Sequence, residues 1–352
     1  VNGQAGGDIV TIHDVAREAG VSISTVSNVV NGVNKVSPRT REKVLRAVHL
    51  LNYIPNVNAR MLKTRRCNTI GLFVSSIQGE YYTLLAQAIH RECIRAGVQM
   101  SIHVGNNSTG EEVYAVIASS GVAGAIIMDE ALDGPWVERL RLRGLPLVFI
   151  DRELVGPLIS SVIIDNYRGA KQAMDYLLGL GHRRIGFIRG LDNRDGQDRY
   201  RAYRDSLRAR ALPLETAYVL QGFFEYEIAY RAVRGFLDGG LTLPDAFFCA
   251  NDETAWGCIR ALAERGIKVP EDLSVMGFDN IVMSAYYTPP LSTVINPVTE
   301  LGTRATLELL RLMDSPHAAP GCGRTLMPEM VLRASCAERT ASGRAPQRLF
   351  PS

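Results

Sequence analysis

The six cysteines of this 352-residue chain, Cys67, Cys93, Cys249, Cys258, Cys322 and Cys336, form no CxxC pair. Neither a zinc ribbon nor a redox dithiol is therefore expected, and most read as small apolar core residues. No stretch approaches the roughly 20 apolar residues of a membrane span, and no charged-then-apolar leader opens the sequence. A cytoplasmic location without a membrane partner is the expectation. Signatures of catalysis are missing too: there is no GxGxxG after a strand, no P-loop lysine, no GxSxG elbow and no HExxH. The six histidines, His13, His49, His90, His103, His182 and His317, are dispersed, and His182 in LGLGHRRIG reads as a polar cap between a helix and a strand. No enzyme activity, cofactor or metal site is expected. The closing SGRAPQRLFPS carries no leucine heptad, which argues against a coiled-coil tetramer.

What is present is an ordinary globular composition, 46% hydrophobic and 21% charged, in a chain long enough for more than one core. Residues 1–9, opening VNGQAGG, read as a disordered tail or a vector remnant. The net charge of +3 hides an asymmetry: residues 1–66 hold ten Lys or Arg against four acids, or +6, which leaves −3 on the remainder. A basic headpiece on a mildly acidic body suits a polyanion, because release of phosphate counterions supplies most non-specific affinity. A solvated basic helix would give the same charge.

In TIHDVAREAG, Ile12, Val15, Ala16 and Ala19 fall at helical spacing after a Thr11 cap, and Gly20 can take the positive φ of a tight turn. Val21 can plug the angle between two helices, and Ser22 can cap a second, ISTVSNVVNG, closed by Gly32. A third begins at Ser37, with Pro38 at its first position and Val44, Leu45, Val48 and Leu51 on its apolar side. The second helix turns Val26, Val29 and Val30 inward and presents Ser24, Ser27, Asn28 and Asn31. These short polar side chains can approach base edges or phosphates in a major groove. Taken alone, that face could also be merely solvated; the turn and the charge favour DNA.

The run DVAREAGVSISTVSNVVNG followed by VSPRTREKVLRAVHLLNYIPNVNARMLK resembles, without a gap, the headpiece of the lactose/galactose-repressor family of bacterial transcription regulators. The resemblance implies base reading by Ile23, Ser24 and Asn28, and phosphate contacts from Thr11, Ser22, Thr25, Asn31, Ser37, Thr40, Tyr53 and Asn56. Periodicity alone places Ile23 near the buried edge; the resemblance makes it a candidate contact for a thymine methyl. After Pro55, NVNARMLKTRRCNT has only Met61 and Leu62 as large apolar residues and cannot bury a stable helix by itself. The resemblance implies a hinge helix that folds on DNA, with Leu62 wedged into a minor-groove step and Ala59 at the close contact of two hinges. On sequence alone Leu62 could equally be a linker residue packed on the body.

From Thr69, short runs rich in Val, Ile, Leu and Phe alternate with amphipathic helical stretches. TIGLFV, QMSIHV, GAIIMD and PLVFID come first, then SVIID, RRIGFIRG, AFFCAND and LSVMGFD, the pattern of buried parallel sheets. Two such series predict two doubly wound subdomains with a ligand crevice at the carboxyl ends of their strands. Asp151, Asn251, Asp252 and Asp279 each follow a strand, where Asp or Asn is also a common turn former; Asp252 reads better as a helix cap. This region resembles the same family, and through it the periplasmic sugar-binding fold, over residues 69–339. The motifs are DNYRGA, LGHRRIGFI, RYRAYRDSL, FFCANDETAWGCIRAL, VPEDLSVMGFDN and TPPLSTVINP. It implies effector contacts from Arg199, Asn251 and Asp279, an aromatic wall at Phe224 and a polar contact at Asn296. An Arg fork and a carboxylate can each engage vicinal hydroxyls, and an aromatic face covers a ring, so a sugar or related polar metabolite is expected.

Where the family carries an Asn-Pro-Phe-Phe-like stretch after the first strand, this chain has Gly79, Glu80, Tyr81 and Tyr82. The tyrosines keep an aromatic lining and add phenol donors. Glu80 either points to solvent or selects a ligand with an amine or several hydroxyls. The expected protein is multidomain: an all-α helix-turn-helix headpiece over 10–54, a hinge over 55–67, and an α/β two-subdomain periplasmic-binding-protein-like module with doubly wound parallel sheets over 68–340. The module divides into 68–164 with 295–324 and 165–294 with 325–340, and a tail follows over 341–352. Its expected function is that of a transcription regulator, acting as a repressor on double-stranded operator DNA under control of a sugar-like effector. A homodimer is expected because one such headpiece contacts too few base pairs for useful specificity. The body alone would permit a periplasmic-type binding protein; the headpiece argues against it.

Overall fold

The computed structural model describes residues 10–30, 36–53, 68–105, 109–314 and 320–339, in two compact units, Val1–Cys67 and Asn68–Ser352. In the N-terminal unit, α1 (Ile12–Ala19) starts where Asp14 Oδ2 accepts from the Thr11 backbone N–H at 2.9 Å, and stops at Gly20, whose φ of 63° is left-handed. α2 (Ile23–Val30) opens on Ser22, whose hydroxyl accepts from the Thr25 N–H at 3.2 Å, and α3 (Pro38–Leu50) on Ser37, which accepts from the Thr40 N–H at 3.3 Å. Val15, Ala16, Val26, Val29, Val44 and Ala47 make the shared core, with Val21, Val48, Leu51 and Tyr53 packed around it. Leu45 departs from the expected inward stripe and is exposed, because it lies about 100° round the helix from the fully buried Val44. Asn31, Asn56, Ala59 and Leu62 lie outside the described residues.

The C-terminal unit alternates strands and helices: β1 (Thr69–Val74), α4 (Glu80–Ala96), β2 (Gln99–Val104), α5 (Gly110–Ser119), β3 (Gly124–Met128), α6 (Gly134–Leu142), β4 (Leu147–Ile150), β5 (Ile159–Ile164), α7 (Asn166–Gly179), β6 (Ile185–Arg189), α8 (Arg194–Ala209), β7 (Val219–Gln221), α9 (Tyr226–Asp238), β8 (Ala246–Cys249), α10 (Asp252–Ala263), β9 (Ser274–Met276), β10 (Thr293–Ile295), α11 (Val298–Asp314), β11 (Gly323–Leu326) and β12 (Glu329–Val331). A six-stranded parallel sheet has the order β11-β5-β4-β3-β1-β2, and a four-stranded parallel sheet the order β7-β6-β8-β9. β10 and β12 pair antiparallel. β4, β5 and β8 are buried along their whole length, as helices on both faces of a parallel sheet require.

In each sheet the chain steps to one side of its first strand and then returns past it to the other. The switch points therefore lie beside β1 and β6, where ligand crevices form in such sheets. SVIID, grouped with the second series on sequence, belongs to β5 of the first sheet. α11 packs Val298, Leu301, Ala305 and Leu309 into the same core as Ile70, Leu72, Leu85 and Ile89 of that sheet and α4. The chain thus crosses between sheets after β5, after β10 and after β11, the last beyond Leu326 rather than at 324–325. Among the described residues no helix is long and apolar enough to cross a membrane.

Candidate functional site

In the N-terminal unit, α2 leaves Ser24 exposed and Ile23 42% exposed, with Asn28 half-buried. Periodicity placed Ile23 at the buried edge, but that argument assumes a full preceding turn, which the first residue of a helix lacks. The Ser22 hydroxyl shares hydrogen bonds of 2.8 Å with the Ser24 and Thr25 hydroxyls, and Ser37 one of 2.9 Å with Thr40. Each cluster sits at a helix start, where free N–H groups and the helix dipole favour a phosphate. Thr11, at the start of α1, donates its hydroxyl to Asp14 Oδ2 at 2.6 Å.

In the C-terminal unit a cavity of about 400 Å³ opens where strands of both sheets end. Its lining includes Tyr82, with Ser75 past β1, Asp129 and Glu130 past β3, Asp151 past β4, and Asp192 and Asp195 past β6. Tyr81, outside the lining, donates its hydroxyl to Asp151 Oδ2 at 3.0 Å, and Tyr82 meets Tyr81 edge-on at 5.5 Å. Asp151 Oδ1 is buried without a hydrogen-bond partner. Burial first, and the neighbouring Asp195 second, push the Asp151 carboxyl well above the usual carboxylate range. Asp195, again chiefly through burial, is pushed up to about 6. Its Oδ1 accepts from Asn166 Nδ2 at 2.9 Å.

Arg199 of α8, only 2% exposed, does not line that cavity, and neither do Phe224, Asn251, Asp279 and Asn296; Asn166 bridges Arg199 to Asp195 of the lining. Arg199 donates from Nε to Asn166 Oδ1 at 2.9 Å and from Nη1 to the Ala250 carbonyl, and pairs with Asp279 Oδ1 at 3.4 Å. Its guanidinium carbon lies 3.7 Å from the Phe278 ring centroid and 5.5 Å from that of Phe224. A buried cation needs partners of this kind to offset the loss of hydration. Asn296 Nδ2 donates to Asp279 Oδ1 at 3.0 Å, while its own buried Oδ1 has no hydrogen-bond partner.

Three of these residues adopt left-handed backbone just past strand ends: Asp151 at φ 57°, Phe224 at 64° and Asp279 at 111°. Such conformations cost of order 1–3 kcal/mol each and gather where function fixes a side chain. Gly190 makes the Phe224 position possible, since a Cβ there would collide with the ring.

Some expected residues are placed differently. Asn251 Oδ1 caps α10 by accepting from the Thr254 N–H at 2.9 Å, and its Nδ2 donates to the Phe224 carbonyl at 3.1 Å. Both ends of that side chain are thus occupied by the chain's own backbone. Asp252, expected as the cap, is instead a fully buried hub. Its Oδ2 accepts from the Ile281 N–H at 3.0 Å and the Ser284 hydroxyl at 2.6 Å, and its Oδ1 from the Thr293 hydroxyl at 2.5 Å. Burial outweighs those three donors and pushes its carboxyl up to about 7.

Glu80 neither points free to solvent nor enters the cavity: its Oε1 accepts from the Val282 N–H at 2.9 Å. That bond ties the first turn of α4, on the first sheet, to the segment after β9 of the second. Arg194 makes another tie, at 3.5 Å to Glu153. Asp195 and Asn166 were not singled out on sequence. Asp195 could have been found by the same rule as the others, for it stands in the first turn of the helix that follows a strand. Among the described residues no three His, Cys, Asp or Glu side chains converge to hold a metal ion.

Comparison with known proteins adds three findings. Residues 11–56 match the family described as bacterial regulatory proteins, lacI family, and residues 174–336 match the periplasmic binding protein-like domain. The HTH-type transcriptional repressor PurR of Pasteurella multocida (strain Pm70) is 33% identical over 334 residues, 94% of this chain and 99% of that protein. Two solved structures each align over 93% of this chain and 99% of their own. They are the lac repressor dimer bound to operator and the anti-inducer ONPF, with a TM-score of 0.76 at 29% identity, and the transcriptional regulator CelR–cellobiose complex, with 0.68 at 31%.

Proposed function

Because the chain belongs to the lacI family of bacterial regulatory proteins, DNA-binding transcriptional repressors with a ligand-binding domain and no enzymatic activity, we propose that a sugar-like effector in its crevice sets its affinity for operator DNA. The protein acts as a cytoplasmic homodimer whose two headpieces, the units over 10–54, read half-sites of a pseudo-palindromic operator. Ile23, Ser24 and Asn28 touch bases. Thr11, Ser22, Thr25, Asn31, Ser37, Thr40, Tyr53 and Asn56 touch phosphates, and the hinge over 55–67 places Ala59 and Leu62 at the minor groove. The effector lies among Tyr81, Tyr82, Asp151, Arg199, Phe224, Asn251, Asp279 and Asn296, with Asn251 acting through the Phe224 backbone it holds. The observation that carries this reading is the 400 Å³ cavity with paired polar anchors close to it, Tyr81 with Asp151 and Arg199 with Asp279. The size suits a small polar metabolite.

Coupling needs only that the ligand prefer one of two closures of the sheets. The ties from Glu80 and Arg194 across the crevice mouth are the contacts such a closure makes or breaks. A thermal-shift screen of sugars, polyols and nucleobases tests the reading, since ligand at a hundredfold its Kd stabilises by about 2.7 kcal/mol. Compounds that stabilise should change operator affinity in a retardation assay; stabilisation without any such change would sink it.

Leu62→Ala should weaken specific operator binding more than binding to random DNA, because only the specific complex gains from a wedged base step. Equal losses on both DNAs, measured by anisotropy at one salt concentration, would remove the wedge assignment.

A further inference from the structure

We propose that the effector carries a protonated nitrogen, as an amino sugar does, held by the carboxylates Asp151 and Asp195. The inference rests on the crevice reading above and narrows the chemistry of its ligand. The cavity is lined by five acids, Asp129, Glu130, Asp151, Asp192 and Asp195, against one base, Arg152. That base is engaged elsewhere, donating to the Leu132 carbonyl. Arg199, the nearest buried cation, is committed to Asn166, the Ala250 carbonyl and Asp279. Asp129 Oδ1 accepts from the Ala131 N–H at 2.9 Å and so has a local partner. Asp151 has only the Tyr81 hydroxyl, on Oδ2.

One feature of the lining points to a missing donor: Asp151 Oδ1 is buried with no partner. Asn296, outside the lining but bonded to Asp279, also keeps a buried Oδ1 without a partner. Both oxygens can accept. A neutral sugar can supply O–H donors, but it offers Asp151 and Asp195 no charge, so enclosing them leaves burial and their mutual repulsion to hold a proton on the pair, the direction in which both carboxyls are already pushed. An ammonium group supplies up to three N–H donors and cancels one charge.

The test uses the full chain in thermal shift and calorimetry with matched probes: glucose, galactose and mannose, their 2-amino forms, their N-acetylamino forms, and the diamine putrescine. At least one amino sugar should bind tenfold or more tighter than both its parent and its N-acetyl form, which matches it in placement without the charge. Asp195→Asn keeps the acceptor for Asn166 but removes the charge; it should cut amino-sugar affinity at least tenfold. Neutral or N-acetyl sugars binding as well as the amines would overturn the cation and leave the sugar reading standing. Binding of putrescine but of no sugar would support the cation and overturn the sugar reading. No binding by any amine probe, or amine affinity unchanged in Asp195→Asn, would overturn the proposal.

Discussion

Asp252→Ala should destabilise the effector-binding unit by about 3–5 kcal/mol, because it orphans three buried donors at once. The Ile281 N–H, the Ser284 hydroxyl and the Thr293 hydroxyl all end on this one carboxylate. Each unmatched buried group costs about 1–3 kcal/mol. The loss is offset in part by no longer burying a carboxyl. At about 2–4 °C per kcal/mol for a unit of this size, the melting temperature should fall by roughly 10 °C. Trp256 of α10, stacked on Tyr287 at 5.3 Å, gives a local fluorescence probe of the transition. The pH dependence has a definite sign. The folded carboxyl is pushed up to about 7 from an ordinary 3.8, so the folded state binds the proton more tightly than the unfolded chain. That contribution is complete below about pH 4 and is lost as pH rises through 7. The gap between wild type and Asp252→Ala should therefore narrow from pH 5 to pH 8 in chemical denaturation. A gap that widens over that range, or a change under 1 kcal/mol, would show that Asp252 is not the hub described.

The contrast between Asp252 and its neighbour marks how far the sequence could be read. Helix starts at Thr11, Ser22 and Ser37 and strands such as TIGLFV and QMSIHV were legible because caps and apolar runs act within a few residues. The same local rule misassigned the Asn251–Asp252 pair. Asn251 is the cap, and Asp252 answers to partners 29 to 41 residues away. Glu80 meets a backbone N–H 202 residues distant, which no local pattern encodes. β7, β9, β10 and β12 span three residues each, too short for an alternation to show. Strand-exit reasoning did single out Asp151, which lines the cavity, and Asp279, which lies outside its lining and pairs with Arg199, since doubly wound sheets open their crevices at strand ends. It did not reveal the excess of acid at the cavity, because that depends on Asp129 and Glu130, past β3, converging with Asp195, in the first turn of α8, more than 60 residues away.

Asp279→Asn should abolish the effector response while leaving ligand-free operator binding unchanged. The substitution keeps the volume, and Asn tolerates the left-handed backbone that φ 111° requires. It also keeps an acceptor for Asn296 Nδ2. What it removes is the negative partner of Arg199, a guanidinium 3.4 Å away and only 2% exposed. Burial raises the Asp279 carboxyl and Arg199 opposes that rise, so the two charges sustain each other in the crevice. Losing the charged partner of a ligand's hydrogen bond costs about 1.5–3 kcal/mol, and 1.4 kcal/mol is tenfold in Kd. The ligand found in the thermal screen should therefore bind about ten- to a hundredfold more weakly to the variant by calorimetry. Operator affinity, followed by anisotropy, should no longer shift when that ligand is added. The headpiece is a separate compact unit with its own core, so the ligand-free operator curve has no reason to move. A response that persists with ligand affinity within threefold of wild type would mean that the effector does not rely on the Arg199–Asp279 pair, and the crevice assignment would fall with it.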